Sequence, residues 1–175
     1  MTMIPMVYCK SALSRSNLPG LRYTFNPYIG CKHGCLYCYV ADVLRKRTMS
    51  LNWGQMVQAK ENIIELLKKD VQKNLHGIVG ISTVTDPYQP AEKTLELTRQ
   101  ALFIFHEWRF PVSIQTKSDL VVRDLDIMKS DLFDVGITIS CLDDEFCKIF
   151  EPGAPLPQRR IQALEEISSR GINTW

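Results

Sequence analysis

The segment "GCKHGCLYCY" (residues 30–39) carries Cys31, Cys35 and Cys38 in a CxxxCxxC spacing. Three thiols in one tight loop form a soft ligand set, suited to zinc or to an iron–sulfur cluster. A structural zinc site closes with four ligands. The nearby candidate for the fourth is His33, whose ring would have to fold back inside the same loop. A four-iron cluster also ordinarily takes four cysteines. With three, one iron keeps an open position, which is a place for a substrate or cofactor. Gly30 and Gly34 give the loop the backbone freedom to turn this tightly.

The rest of the chain has to position that loop. At 175 residues it fits one domain that can bury a core without disulfide staples. A hydrophobic content of 45% with 23% charged residues is that of a soluble globular protein, which excludes a disordered or fibrous chain. The formal charge of +2 carries no strong electrostatic footprint for nucleic acid. Apolar runs such as "ALFIF" (101–105) are too short to span a bilayer, so no membrane partner is expected. The N-terminus "MTMIPMVYCK" lacks the basic-then-apolar layout of a signal peptide, which makes the cytoplasm the default location. Six cysteines in that compartment point to metal or redox chemistry rather than to a disulfide framework.

Along the chain, residues 1–20 read as an irregular lead-in and 21–175 as the core domain. "LRYTFNPYIG" (21–30) is expected to be a strand that breaks at Asn26–Pro27 and opens into the cysteine loop. Met56, Ala59, Ile63, Leu66, Leu67 and Val71 mark one face of a helix over 55–71. A strand at 77–85 ends in the turn "DPYQP". A helix follows from about Ala91 to Trp108, then a strand at 111–117, a short helix over 122–130 and a strand at 134–140. "EPGAPLP" (151–157) connects to a helix at 158–170, and "GINTW" begins another strand.

Strand–helix alternation at this spacing predicts parallel strands with helical crossovers, in a barrel or a doubly wound sheet. Val112, Ile114 and Thr116 alternate with Ser113, Gln115 and Lys117, and Val135, Ile137 and Ile139 with Gly136, Thr138 and Ser140. Parallel strands covered on both faces usually read as continuous apolar runs. One small, polar face fits a barrel lining a solvated cavity; the alternative is an exposed edge strand. The fold class is therefore α/β: a partial, open TIM-like (β/α) barrel of about four β/α units plus the start of a fifth strand. The core domain is expected to be incomplete at its C-terminus, or to cover its open edge by oligomerisation.

The cysteine spacing, with aromatic Tyr37 just before Cys38, resembles the signature of the radical SAM superfamily. That resemblance implies a 4Fe-4S cluster on Cys31, Cys35 and Cys38 whose open iron chelates S-adenosylmethionine. It implies reductive cleavage of that cofactor to methionine and a 5′-deoxyadenosyl radical, which abstracts hydrogen from a substrate. It also implies an external electron donor such as a flavodoxin or ferredoxin, and a partial β/α barrel with the cluster loop after the first strand. "NPYIGCKHGCLYCY", "STVTDPYQP", "QTKSDLVVRDLDIM" and "EPGAPLPQRRIQALEEI" are similar to the spore photoproduct lyase family and its relatives of unknown substrate. By that resemblance the substrate is nucleic acid, if it is not something unrelated.

Carried over by position, Tyr37 would lie along the adenine, Lys117 would meet the S-adenosylmethionine carboxylate as a charge partner, and Ser140 would contact the same ligand. Both of the latter end parallel strands, where barrel enzymes gather catalytic groups. The alternatives are a solvated lysine and a small space-filling residue. Tyr39 matches a tyrosine of the lyase's radical relay. The lyase's hydrogen-donating cysteine aligns with Thr83, and a hydroxyl O–H is too strong a bond to replace a thiol. Cys141 is the candidate substitute donor, while Cys9 and Cys147 read as bystanders. Thr85 and Asp86 sit where many superfamily members bind the methionine amine, and could instead simply form a turn. Glu151 and Arg160 are a candidate clamp near the cavity, with Arg159 solvated. "LRKRT" (44–48) with Lys32 is a modest basic patch. Two readings compete with the enzyme: a non-catalytic zinc or iron–sulfur module, and a truncated inactive homologue.

Overall fold

The computed structural model describes residues 4–45, 53–73, 76–129 and 131–175. Its centre is a six-stranded sheet in the order β2-β3-β6-β7-β8-β9, made of β2 (Leu13–Arg15), β3 (Tyr23–Phe25), β6 (Val79–Ile81), β7 (Val112–Thr116), β8 (Phe133–Ile137) and β9 (Asn173–Thr174). β2 pairs antiparallel with β3, and every other neighbouring pair is parallel. Consecutive parallel strands lie side by side, joined by helices, which is the open half-barrel expected from the alternation. β7 and β8 lie inside the sheet, so their polar face belongs to the barrel interior and not to an edge.

Register explains the two faces. Phe25, Ile81, Ile114 and Val135 stand in one row across four strands, all buried. Helices α2 (Ile63–Lys73), α4 (Leu97–Glu107) and α6 (Pro157–Ser169) supply the covering side chains Leu67, Leu102, Phe105 and Ile167. One residue on, the other face carries Gly80, Ser113, Gln115 and Gly136. At Gly136 the missing side chain is occupied by the Trp175 indole, since a Cβ would come within 2.7 Å of that ring.

Four expectations need correcting. Residues 58–60 are β5 (Gln58–Lys60), the centre of a second, three-stranded sheet between β1 (Met6–Val7) and β4 (Tyr28–Ile29), and not the start of α2. Met56 and Ala59 fit a 3.6-residue period, but Ala59 N–H bonds Pro5 O and Lys60 N–H bonds Pro27 O, pairings a helix does not offer. The lead-in therefore contains two strands, and 21–30 splits into two strands of different sheets. Second, the helix expected over 91–108 is broken at Glu96, whose left-handed backbone (φ 50) separates α3 (Glu92–Leu95) from α4. Third, the short helix after β7 is a 3₁₀ turn at Asp119–Asp124, capped by the Ser118 hydroxyl. Fourth, α5 (Asp144–Phe150) was not expected; Asp143 caps it by accepting from Phe146 N–H. α1 (Tyr39–Arg45) follows the cysteine loop, and of the basic run at 44–48, residues 46–48 lie outside the described residues.

A buried carboxylate locks the break at Glu96. Glu92 is fully buried and accepts from Thr98 N–H and Arg99 N–H, first-turn donors of α4 that have no acceptor within the helix, at 3.0 Å each. It also accepts from Tyr28 OH and from Arg123 Nη2. Tyr28 stands on the strand that leads into the cysteine loop, so this network ties the loop's approach to the helical layer. Glu92→Ala is expected to cost about 3–5 kcal/mol of folding stability by leaving the two α4 N–H groups and the Tyr28 hydroxyl without their acceptor, while Arg123 keeps Asp124. A lowered urea midpoint with an unchanged slope is the check.

Candidate functional site

β4 hands the chain directly to the cysteine loop. Gly30 turns it at φ +82, and its Cβ would meet Met56 O at 2.4 Å, so both the turn and the packing require glycine. Cys31 and Cys35 are buried and Cys38 is half-exposed. Burial, with Asp86 nearby, pushes the Cys31 thiol up to about 12. Burial also pushes Cys35 up to about 11, against the lowering effect of Lys117. Among the described residues, Cys141, Cys147 and Glu151 form a group whose ligand atoms all lie within 4.8 Å of one another.

The turn after β6 packs under the loop. Asp86 is buried, and its Oδ1 accepts from Tyr88 N–H (2.9 Å) and the Thr116 hydroxyl (2.7 Å). Its Oδ2 accepts from Lys117 N–H at 2.9 Å and faces His33 Nδ1 at 3.2 Å. Burial alone would raise the Asp86 carboxyl; the His33 ring and these hydrogen bonds outweigh it and hold the pKa below the usual range. Thr85 donates its hydroxyl to Gly30 O and accepts from Gln89 Nε2. Thr85 and Asp86 thus both line the cavity described below with their polar groups already engaged by the loop and by β7.

At the far side of the loop, Tyr37 OH bonds Glu151 and lies 2.9 Å from the Ser140 hydroxyl, which itself donates to Glu151 at 2.7 Å. Lys117 Nζ stands 3.7 Å from Glu151 and 5.5 Å from the Tyr37 ring centroid. Burial works against the Lys117 ammonium, but Cys35, Tyr37 and Glu151 together raise its pKa. Glu151 and Arg160 form the expected clamp, an ion pair of 2.6 Å with both side chains fully buried. Burial would raise Glu151, yet Tyr37, Ser140 and Arg160 bring it below its ordinary value. Arg159 is exposed and pairs with Asp119.

The loop cysteines, Thr85, Asp86, Tyr37 and Lys117 line a cavity of about 600 Å³ at the C-terminal ends of the parallel strands. Its wall includes Cys31, Cys35, Cys38, Tyr37, Tyr39 and Lys117, and its floor the polar strand face of Ser113, Gln115 and Thr138. Trp53 and Trp175 add two further aromatic walls. Tyr39 donates its hydroxyl to Thr83 O, 2.7 Å away. Ser140 and Cys141 do not line the cavity; Ser140 reaches it through the Tyr37 hydroxyl. Cys141 and Cys147, expected as free thiols, form a disulfide across a Cα–Cα distance of 6.3 Å. α5 brings them together, and in this form Cys141 has no S–H to give.

Sequence reasoning missed His33's partnership with Asp86, Glu92 and Gln89. The first two combine residues 53 and 64 positions from their partners, and Gln89 is a neutral amide with no spacing signature.

A family model for the Radical SAM superfamily matches residues 25–175. The chain belongs to the radical SAM superfamily. It is 36% identical over 170 residues to an uncharacterised protein of Methanocaldococcus jannaschii, covering 97% of this chain and 64% of that protein. It is 24% identical over 151 residues to a radical SAM Nα-GlyT isomerase of Pseudomonas phage M6, covering 85% of this chain and 31% of that one. The fold is similar to a spore photoproduct lyase variant with bound AdoMet and dinucleoside spore photoproduct, at a TM-score of 0.71 and 15% identity, over 93% of this chain and 46% of that one. The chain spans roughly half to two thirds of the length of the first curated relatives it matches. Among the described residues no helix is long and apolar enough to cross a membrane.

Because burial keeps the Cys31 and Cys35 thiols protonated at neutral pH, a thiophilic metal must displace those protons to bind. Cobalt(II) uptake by the apo-protein, followed through its thiolate charge-transfer band, is expected to tighten as the pH rises from about 7 to about 9.

Proposed function

We propose that the chain is the core of an enzyme that holds a 4Fe-4S cluster on Cys31, Cys35 and Cys38 and uses S-adenosylmethionine to abstract hydrogen from a nucleic-acid substrate. The observation that carries it is the three-thiol loop opening onto a strand-end cavity with an ammonium, Lys117, on the same wall. The donor set fits the cluster: three thiols in one loop, in a family whose members hold one. When bound, the cluster supplies one-electron cleavage of S-adenosylmethionine to methionine and the 5′-deoxyadenosyl radical.

The chain's own residues bind and orient. Lys117, anchored by Glu151 and the Tyr37 ring, offers a charge-assisted hydrogen bond to the methionine carboxylate. Tyr37 offers its ring to the adenine while Ser140 and Glu151 fix its hydroxyl. Thr85 and Asp86 act one step back, holding the loop and Lys117's backbone. Tyr39, at the cavity wall beside Thr83, is the candidate relay residue, and Cys141 is a candidate donor only with its bridge to Cys147 reduced. Nucleic acid is supported by the aromatic walls, whose ring faces suit unstacked bases, and by the dinucleoside spore photoproduct bound in the lyase of similar fold. A flavodoxin or ferredoxin would deliver the electron.

The test is anaerobic iron–sulfide reconstitution, dithionite reduction and an assay for 5′-deoxyadenosine. Wild type is expected to form it and the triple Cys31, Cys35, Cys38→Ala variant none. Lys117→Ala is expected to raise the S-adenosylmethionine KM roughly tenfold or more. A colourless protein holding one zinc would overturn the reading.

A further inference from the structure

We propose that Gln89 is the positioning residue for Cys31, its side-chain amide standing in for a peptide group and bracketing that cysteine from both sides. The inference rests on the cluster reading above for its consequence, but its geometry stands apart from it. Gln89 Nε2 donates to Gly30 O at 3.2 Å, the carbonyl just before Cys31. Gln89 Oε1 accepts from Lys32 N–H at 3.0 Å, the amide just after it. The donor and acceptor of one rigid, planar amide therefore span a single residue, as a neighbouring strand would. The second Nε2 contact, to Thr85 Oγ1 at 2.9 Å, fixes the amide's own orientation, and Thr85 in turn donates to Gly30 O.

Gln89 is fully buried, so these bonds form without competition from water. Held this way, Cys31 has its backbone, and with it the direction of its Cα–Cβ bond, fixed from both sides. Hydrogen bonds to cysteine sulfurs tune the potential of a cluster they hold. Gln89 touches neither the cavity nor any thiol; it acts through the backbone of the loop. Asparagine, one methylene shorter, could not reach both sides, and leucine would fill the space while leaving the Gly30 carbonyl with one partner and the Lys32 amide with none from this side chain.

The experiment compares wild type with Gln89→Leu and with isosteric Gln89→Glu. In the apo-protein, N-ethylmaleimide labelling is quantified for each cysteine by peptide mass spectrometry. The expected result for Gln89→Leu is a rise of about tenfold in labelling of Cys31, the energy of one to two lost buried hydrogen bonds, with Cys9 unchanged. Gln89→Glu keeps the acceptor for Lys32 but turns an oxygen toward Gly30 O, and is expected to give a smaller rise. After reconstitution, both variants are expected to alter the EPR spectrum and midpoint potential of the reduced cluster. Should Gln89→Leu fail to fold, Gln89→Glu carries the test alone. Wild-type labelling and spectra in the folded variants would overturn the proposal, as would equal increases at Cys9 and Cys31. A wild type that takes up no iron would sink the cluster reading, while the Cys31 labelling would still decide the role of Gln89.

Discussion

Asp86 buries a carboxylate directly beneath the three-cysteine loop, and the arrangement of the site follows from how that charge is satisfied. Moving a carboxylate out of water costs several kcal/mol. Four donors from three segments offset it: Tyr88 within its own turn, Thr116 and Lys117 at the end of β7, and His33 in the loop. Its net pKa shift is downward, so the partners outweigh the burial. Because the donors come from three pieces of chain, the carboxylate fixes the cysteine loop, the β6 turn and the Lys117 backbone relative to one another.

A second buried carboxylate does the same on the other side. Glu151, at the end of α5, gathers Tyr37 from the loop, Ser140 from after β8, Lys117 from β7 and Arg160 from α6. Lys117 thus has its backbone set by one acid and its ammonium by another. Such double anchoring holds the Lys117 ammonium in a defined place on the cavity wall. Glu92 extends the pattern to the outer layer, joining Tyr28 to α4 and Arg123.

The barrel itself divides labour by face. The row Phe25, Ile81, Ile114 and Val135 packs against the helices and supplies the hydrophobic stabilisation. The intervening glycines, hydroxyls and amide leave volume and hydrogen-bonding groups for a ligand. Trp175, seated on Gly136 and bonded through Nε1 to Asp134, narrows that space from the β9 side. A cavity at the C-terminal ends of parallel strands is where this architecture places chemistry.

The local chemistry was legible in the sequence. The close spacing of Cys31, Cys35 and Cys38 announces one thiol-bearing loop because residues close in sequence must be close in space, and alternation in 111–117 and 134–140 announces a two-faced parallel sheet because side chains alternate in any strand. The pairing of distant acids with their partners was not legible. Asp86 with His33, Glu92 with Tyr28 and Gln89 with the backbone around Cys31 depend on which turns stack on which, and no period encodes that. Residues 58–60 show the same limit: they fit a helical face, yet strand partners on either side, Met6–Val7 and Tyr28–Ile29, made them a strand. Cys141 and Cys147 became partners only through the turn of α5. Sequence determined which groups were available and on which face, since those follow from covalent spacing; tertiary structure decided which buried charges would meet, since that follows from packing across the whole chain.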